Sequence, residues 1–314
     1  MDYQEGLVSV VVPTYKRLEK LPRAIESILS QTYKDIELFV VNDNEPEDKY
    51  TQYVKLITNR YASDPRFHLI IQDRHINGAV ARNIAIRQAC GEFIAFLDDD
   101  DWWEPNKIEE QLKVLCTLDE SWGGVSCKFR FYNEKGNVVG QTYKYNDGMI
   151  YKDIIYMYTE VATGTLLLKR KALDESGYFD ETLLRSQDIQ LLTNFTFKYK
   201  LKEVDQYLHC ADCSDSQNRL FDEEQYLSVL KAYLKSIEPI FNTLAKSEKK
   251  CALHMRYFTL GFILIRNKKF FRGIRYLLPM LTNPLSIYMA MKIVMRKMKE
   301  KRYYRNWNIT VLSP

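Results

Sequence analysis

Nowhere does this chain hold about 18 uninterrupted apolar residues, the length a membrane-spanning helix requires. Residues 257–265 are too few, and residues 276–291 are broken by Pro279 and Pro284, so no spanning segment is expected. A glycine-rich GxGxxG is also missing. Pro13-Thr14-Tyr15 follows the first apolar run instead, which argues against a nicotinamide dehydrogenase. The six cysteines (Cys90, Cys116, Cys127, Cys210, Cys213 and Cys251) are scattered and form one isolated CxxC, Cys210 and Cys213. Zinc would need a second pair or spaced histidines, so buried or idle thiols are the simpler reading. No signal peptide precedes the first apolar run, and with free thiols this predicts a reducing, cytoplasmic compartment. Acidic residues all but vanish from the tail: from Arg266 onward there are twelve Lys or Arg and only Glu300. That region carries +11, which leaves −7 on residues 1–265 of a chain with net charge +4. No nucleic-acid-binding module accompanies the basic stretch, so no nucleic acid partner is expected.

What is present is an ordinary globular composition, 46% hydrophobic and 27% charged, enough for one sizeable α/β domain and an appendage. Apolar, β-branched runs at 7–12, 36–41, 67–71 and 92–97 predict strands. Between them, helical spacing begins near Lys20 or Leu21, with Leu18, Leu21, Ile25, Ile28 and Leu29 in phase, and again covers 78–89. Pro22 is tolerable only in a first turn. This alternation predicts a Rossmann-like, mostly parallel sheet flanked by helices, with ligands bound beyond the carboxyl ends of the strands.

The fourth strand delivers Asp98, Asp99, Asp100 and Asp101, followed by Trp102-Trp103-Glu104-Pro105. Four adjacent carboxylates repel one another where water is partly excluded, and a hard divalent cation is the natural offset. The alternative is that Asp100 or Asp101 caps a helix begun by Pro105 while the others stay solvated. Other strand ends suit a nucleotide: Pro13-Thr14-Tyr15-Lys16-Arg17 offers a hydroxyl, an aromatic face and two cations, and Asn42-Asp43-Asn44 an acceptor for a base imide. Each also describes a polar turn, and Tyr15 could simply pack over the sheet.

Five segments, Val8-Ser9-Val10-Val11-Val12-Pro13-Thr14-Tyr15-Lys16-Arg17, Ser30-Gln31-Thr32-Tyr33, Val41-Asn42-Asp43, Asn77-Gly78-Ala79-Val80-Ala81-Arg82-Asn83 and Phe96-Leu97-Asp98-Asp99-Asp100-Asp101-Trp102-Trp103, stand in one register. Together they resemble the successive motifs of family 2 glycosyltransferases with the GT-A fold, over residues 7–210. The resemblance implies a nucleotide-sugar donor, commonly a uridine diphosphate sugar, a Mn²⁺ or Mg²⁺ ion, and inversion at the anomeric carbon. By position it implies that Asp43 recognises the base, that Pro13, Thr14, Tyr15 and Arg17 line the nucleotide site, and that Arg82 lies near the diphosphate. Asp98 and Asp100 form the DXD pair. Asp100 would coordinate the metal directly, Asp98 and Asp99 would contact ribose or metal-bound water, with Asp98 counted in the metal set, and Asp101 is expected to begin the next helix. Asn42-Asp43-Asn44 departs from the two acids and Gly-Ser common in the family, which leaves the nucleotide open.

Gly177-Tyr178-Phe179-Asp180-Glu181 and Ser186-Gln187-Asp188 resemble the later acidic motifs, with Gln187 replacing the first acid of the pair. Asp188, near the start of an expected helix, would then be the general base, as opposed to a simple N-cap. Gly164-Thr165 and the strand to Leu168 would floor the donor sugar. His209, after a strand expected at 203–208 and before Asp212-Cys213-Ser214-Asp215-Ser216, is a candidate metal or phosphate contact or a structural histidine.

A catalytic domain over residues 1–220 and a basic helical region over 221–314 are expected, with helices at 223–244, 249–265, 270–278 and 284–302. The last places Ile287, Met291, Val294, Met295 and Met298 to one side among Lys292, Arg296, Lys297 and Lys299. Such a helix suits an anionic membrane surface, or a packed appendage with solvated lysines. Peripheral attachment to the inner face of the cell membrane would suit a glycan or polyprenyl-linked glycan acceptor. The rival reading is a non-catalytic nucleotide-sugar-binding scaffold, because of Gln187.

Overall fold

Val8, Val10 and Val12 point to one face of the first strand and Val11 to the other, and both faces are buried. A strand covered on both sides reads as a continuous apolar run because helices must pack against each face. The computed structural model describes residues 3–17, 19–143, 145, 147–159, 161–214 and 222–303. Leu18, Asp215, Ser216 and the boundary expected at 220/221 lie outside these residues, as do the side chains of Lys297, Met298 and Lys299.

Among the described residues the strands are β1 (Gln4–Thr14), β2 (Ile36–Asn42), β3 (Phe67–Ile71), β4 (Gly91–Phe96), β5 (Trp102–Trp103), β6 (Trp122–Tyr132), β7 (Val138–Gln141), β8 (Leu167–Lys169) and β9 (Lys200–Asp212). The helices in the first 214 residues are α1 (Leu21–Leu29), α2 (Lys49–Thr58), α3 (Gly78–Gln88), α4 (Lys107–Leu115), α5 (Tyr151–Ile155), α6 (Arg170–Ser176) and α7 (Gln187–Lys198). They are followed by α8 (Glu223–Ser236), α9 (Glu238–Thr243), α10 (Lys246–Arg266), α11 (Phe270–Leu277) and α12 (Pro284–Tyr303).

One sheet runs in the order β3-β2-β1-β4-β8-β6-β9-β5, with β7 beside β6. The expected parallel block is its first half: β1 pairs in parallel with β2 and β4, and β2 with β3. Beyond β4 the sheet becomes mixed, since β8 is antiparallel to both β4 and β6 while β6 and β9 are parallel. Leu21, Ile25 and Ile28 of α1 and Ile108 of α4 cover one face; Ala81 and Ile86 of α3 and Leu191 and Phe195 of α7 cover the other. The register sets Thr14 opposite Asn42 and Asn42 opposite Ile71, so three parallel strands end on one line.

Three local expectations are corrected. Asp101 does not begin a helix: Trp102 and Trp103 pair with Cys210 and His209 at the edge of β9, and α4 starts only at Lys107. Bulky aromatics favour the pleated edge. The strand placed at 203–208 extends to Lys200–Asp212, so His209 lies within it; exposed Asp205 and Gln206 sit where the β6 register shifts and interrupt the apolar pattern. The helix placed at 223–244 breaks at Ile237, because Pro239 in the first turn of α9 cannot donate to the preceding turn.

Residues 222–303 pack on the body through Ile155 and Tyr156, which join Tyr233, Ile240, Met255 and Met289 in one apolar cluster. Helices α10 and α11 cross at glycine on glycine. A Cβ on Gly273 would lie 2.5 Å from Ile265 Cγ1 and 2.7 Å from the Gly261 carbonyl. Alanine favours a helix over glycine by about 1 kcal/mol. Backbone overlap outweighs that gain, so Gly273→Ala should destabilise the chain by about 1–3 kcal/mol. An unchanged or higher melting temperature would show that the two helices do not touch there.

Candidate functional site

At the end of β1, buried Thr14 donates from Oγ1 to Asp99 Oδ2 at 2.7 Å. Lys16 then takes a left-handed conformation, φ 54°, held by its N–H donating to Asn44 Oδ1 at 2.8 Å. Asn44 in turn donates to Asn42 Oδ1 at 2.6 Å, and Asn42 donates to Thr51 of α2 at 2.7 Å. Both asparagines of Asn42-Asp43-Asn44 are therefore fasteners that tie the first two strand ends together. This gives Asn42, where the motifs resembled above commonly have an acid, a structural role.

Asp43, 2% exposed, accepts from Gln72 Nε2 at 2.8 Å and from the Ile76 N–H at 3.1 Å, with His75 Nδ1 3.1 Å from Oδ2. Burial raises its pKa against these bonds. Tyr15 stacks on His75 with ring centroids 3.9 Å apart and a 12° tilt. Gln72 and His75 sit after β3, a strand end with no candidate from sequence. Its parallel register with β2 is the signal that could have found them.

Each of the four aspartates has a basic partner. Arg82 Nη2 donates to Asp98 at 2.5 Å, Arg17 Nη2 lies 3.0 Å from Asp100 with Nε 3.7 Å from Asp99, and His209 Nε2 lies 3.2 Å from Asp101. Arg23 also donates to the Asp100 carbonyl at 2.6 Å and to Asp212 at 2.7 Å, over the Trp102 ring. Asp101 accepts from the Asp212 N–H at 2.8 Å. Burial raises the Asp212 pKa, but bonds from Ser214, Arg23 and Lys20 hold it well below the usual carboxylate range. These partners do not neutralise the run: burial, then the Asp100 charge, pushes Asp99 up to about 8, and burial, then Asp101 and Asp98, pushes Asp100 up to about 7.

Arg82 reaches Asp98 by folding back over the start of α3, where a Cβ on Gly78 would lie 2.9 Å from its Nη1. Asn83, one residue on, donates to the Phe179 carbonyl and to Glu181 Oε1, both at 2.9 Å, and accepts from the Phe179 N–H at 3.2 Å. Asn77 and Arg87 of the same stretch bond to Glu181 at 3.0 and 2.7 Å. This clamp carries the chain to Ser186, left-handed at φ 61°, and to Asp188 at the second position of α7. A non-glycine residue held there stores about 1–3 kcal/mol, and such strain gathers at sites where geometry matters. Burial raises the Asp188 pKa, with the Asp98 charge adding and the Ile189 N–H and Arg82 opposing. Asp188, Arg82 and Asp98 thus act on one another. Gln187 donates to the Leu183 carbonyl at 2.6 Å.

Tests of fit for a cation favour this place. His209 is fully buried, yet neither ring nitrogen makes a hydrogen bond, Nε2 included despite its nearness to Asp101. Buried polar atoms without partners are rare and costly. Asp98 is half-exposed and Asp100 mostly covered, and carboxylate oxygens and an imidazole are the donor types that Mn²⁺ or Mg²⁺ accepts. Among the described residues, however, no three acidic, His or Cys side chains stand in a ready-made cluster.

A parallel half-sheet continued by a mixed half, with a polar site at the strand ends, is the GT-A class of α/β fold. Staphylococcus aureus TarS 1–349, crystallised with UDP-GlcNAc, superposes with a TM-score of 0.62 over 95% of this chain and 91% of that one, at 20% identity. The model of glycosyl transferase family 2 matches residues 9–177, and the chain belongs to that family. It is 32% identical over 228 residues to an uncharacterized glycosyltransferase of Methanocaldococcus jannaschii, covering 66% of this chain and 75% of the relative. It is 28% identical over 231 residues to the Escherichia coli UDP-Glc:alpha-D-GlcNAc-diphosphoundecaprenol beta-1,3-glucosyltransferase WfaP, covering 72% and 86%.

Proposed function

We propose that the chain is an inverting glycosyltransferase that moves a sugar from a nucleotide diphosphate donor, most simply a UDP-sugar, to a hydroxyl of a glycan or polyprenyl-linked glycan. The observation that carries the reading is that Thr14, at the carboxyl ends of the parallel strands, bonds both Asp43 and Asp99, while Arg82 bonds Asp98 and acts on Asp188, so that four distant segments converge there. The TarS complex with UDP-GlcNAc and the lipid-diphosphate acceptor named for WfaP support the two substrate classes.

Asp43 accepts the imide hydrogen of the base, Tyr15 stacks on it, and Pro13, Thr14 and Arg17 wall the nucleotide. Arg82 holds the diphosphate. Asp100 and His209, with Asp98, would hold Mn²⁺ or Mg²⁺, which when bound neutralises charge on the leaving diphosphate. Asp99, tied to Thr14, supports the ribose side. Asp188 takes the acceptor proton as its oxygen attacks the anomeric carbon, while the glycosidic bond to the diphosphate breaks on the opposite face and its electrons leave with the nucleotide. Gly164 and Thr165 floor the sugar. The catalytic unit is residues 1–220, and the basic helices of 221–314 attach it to the inner face of the membrane.

Screening sugar nucleotides for thermal stabilisation with Mn²⁺ tests the donor. No stabilisation by any of them would sink the reading. Gln187 favours the rival, a non-catalytic scaffold; slow metal-dependent release of nucleoside diphosphate from the stabilising donor rejects that rival. Asp43→Ala should weaken UDP binding by about 10- to 100-fold, the effect of losing a charged hydrogen bond. Titration calorimetry measures it, and unchanged affinity removes Asp43 from base recognition.

A further inference from the structure

Ten of the sixteen large apolar side chains exposed among the described residues fall between Phe262 and Met295. They crowd around one bend. Residues Phe270–Thr282 and Pro284–Arg296 are two apolar arms bent by 120° at the break between them, and among the described residues no single helix is long and apolar enough to cross a membrane. On the first arm, Phe270, Phe271, Ile274, Leu278 and Leu281 share a helical face, with Phe271 92% exposed. The glycine crossing at Gly261 and Gly273 holds another side of α11 against α10, which leaves this face uncovered among the described residues.

The second arm is apolar on two sides. Ser286, Met289, Ala290 and Ile293 of α12 are packed, whereas Tyr288, Met291, Val294 and Met295 are exposed. The sequence places Ile287, Met291, Val294, Met295 and Met298 on one side of this helix; Ile287 is half-buried and the Met298 side chain lies outside the described residues. Met291, Val294 and Met295 do face out, but the dominant apolar edge lies on α11. Lys268, Lys269 and Arg275 are exposed near that edge, while Arg272 lies 3.8 Å from Glu223.

We infer that the α11–α12 bend is a membrane-docking edge: Phe270, Phe271, Ile274, Leu278 and Leu281 enter the headgroup–acyl boundary of an anionic bilayer while the basic residues beside them meet lipid phosphates. Charge complementarity favours this occupant, because cations beside an apolar wedge match the phosphates and acyl chains of an anionic bilayer. The inference deepens the membrane attachment proposed above by replacing a diffuse basic tail with a defined apolar edge. It holds whether or not that reading of the donor chemistry is correct.

The test is sedimentation of the full chain, without donor, with vesicles of phosphatidylcholine alone or with about one-third phosphatidylglycerol. The wild type should bind the anionic vesicles, and binding should weaken as salt rises. Phe270→Ser with Phe271→Ser should lower partitioning about ten-fold or more at an unchanged melting temperature. Phe271→Trp, in an otherwise intact chain, should show emission quenched by brominated lipid. Equal sedimentation of the double variant, or an unquenched Trp, overturns the proposal. So does a wild-type dimer in ultracentrifugation that the double variant abolishes without vesicle binding, since a second copy would then cover the face. Donor hydrolysis by the same samples reports separately on the active site.

Discussion

Asp188→Asn should retain nucleotide-sugar binding and lose turnover by about 10²–10⁴, the contribution of a positioned general base. The amide has the shape of the carboxylate and is equally at home near a helix start, so α7 and its left-handed entry at Ser186 stay in place. Removing a negative charge that opposes Asp98 should tighten, if anything, the hold on an anionic donor. The base acts only when ionised, and burial raises its pKa above the ordinary carboxylate value. Turnover should therefore fall as pH drops through that raised pKa, and this acid limb should vanish from the residual rate of the variant. Single-turnover assays across pH measure both, and near-normal turnover in Asp188→Asn would remove the residue from the mechanism.

Asp100→Ala is expected to be as damaging for a different reason. Burial and the flanking carboxylates push Asp100 up to about 7, so part of the run's charge remains uncompensated despite Arg17. A divalent cation offsets charge more effectively than one guanidinium. Wild-type activity should disappear in chelator and return with Mn²⁺ or Mg²⁺, whereas the variant should remain about 10²-fold or more depressed with either ion. Metal-dependent thermal stabilisation in the presence of UDP should be lost in parallel. A chelator-insensitive wild type would overturn the assignment, and so would full rescue of the variant by metal.

The parallel strands were legible because an apolar run bounded by turn residues has one comfortable place, the interior of a two-faced sheet. Asp43 and the aspartates stood out because each follows such a run, whereas Arg82 and Asp188 were named only through the resemblance to the family motifs. What could not be read were the partners. His75, Gln72 and Asn83 look like ordinary polar residues until β3 is set beside β2 and α3 beside Phe179. The two tryptophans after the aspartates misled for a related reason: their place on the edge of β9 depends on a strand about a hundred residues away.

The bonds from α3 to the 177–181 stretch have a mechanical meaning. Asn77, Asn83 and Arg87 grip that stretch while Arg82, on the same helix, grips Asp98. Under the proposed roles, one short helix is the common bearing for the group that steadies departure and the group that prepares attack. Under those roles, a substitution that loosens this helix disturbs both groups at once.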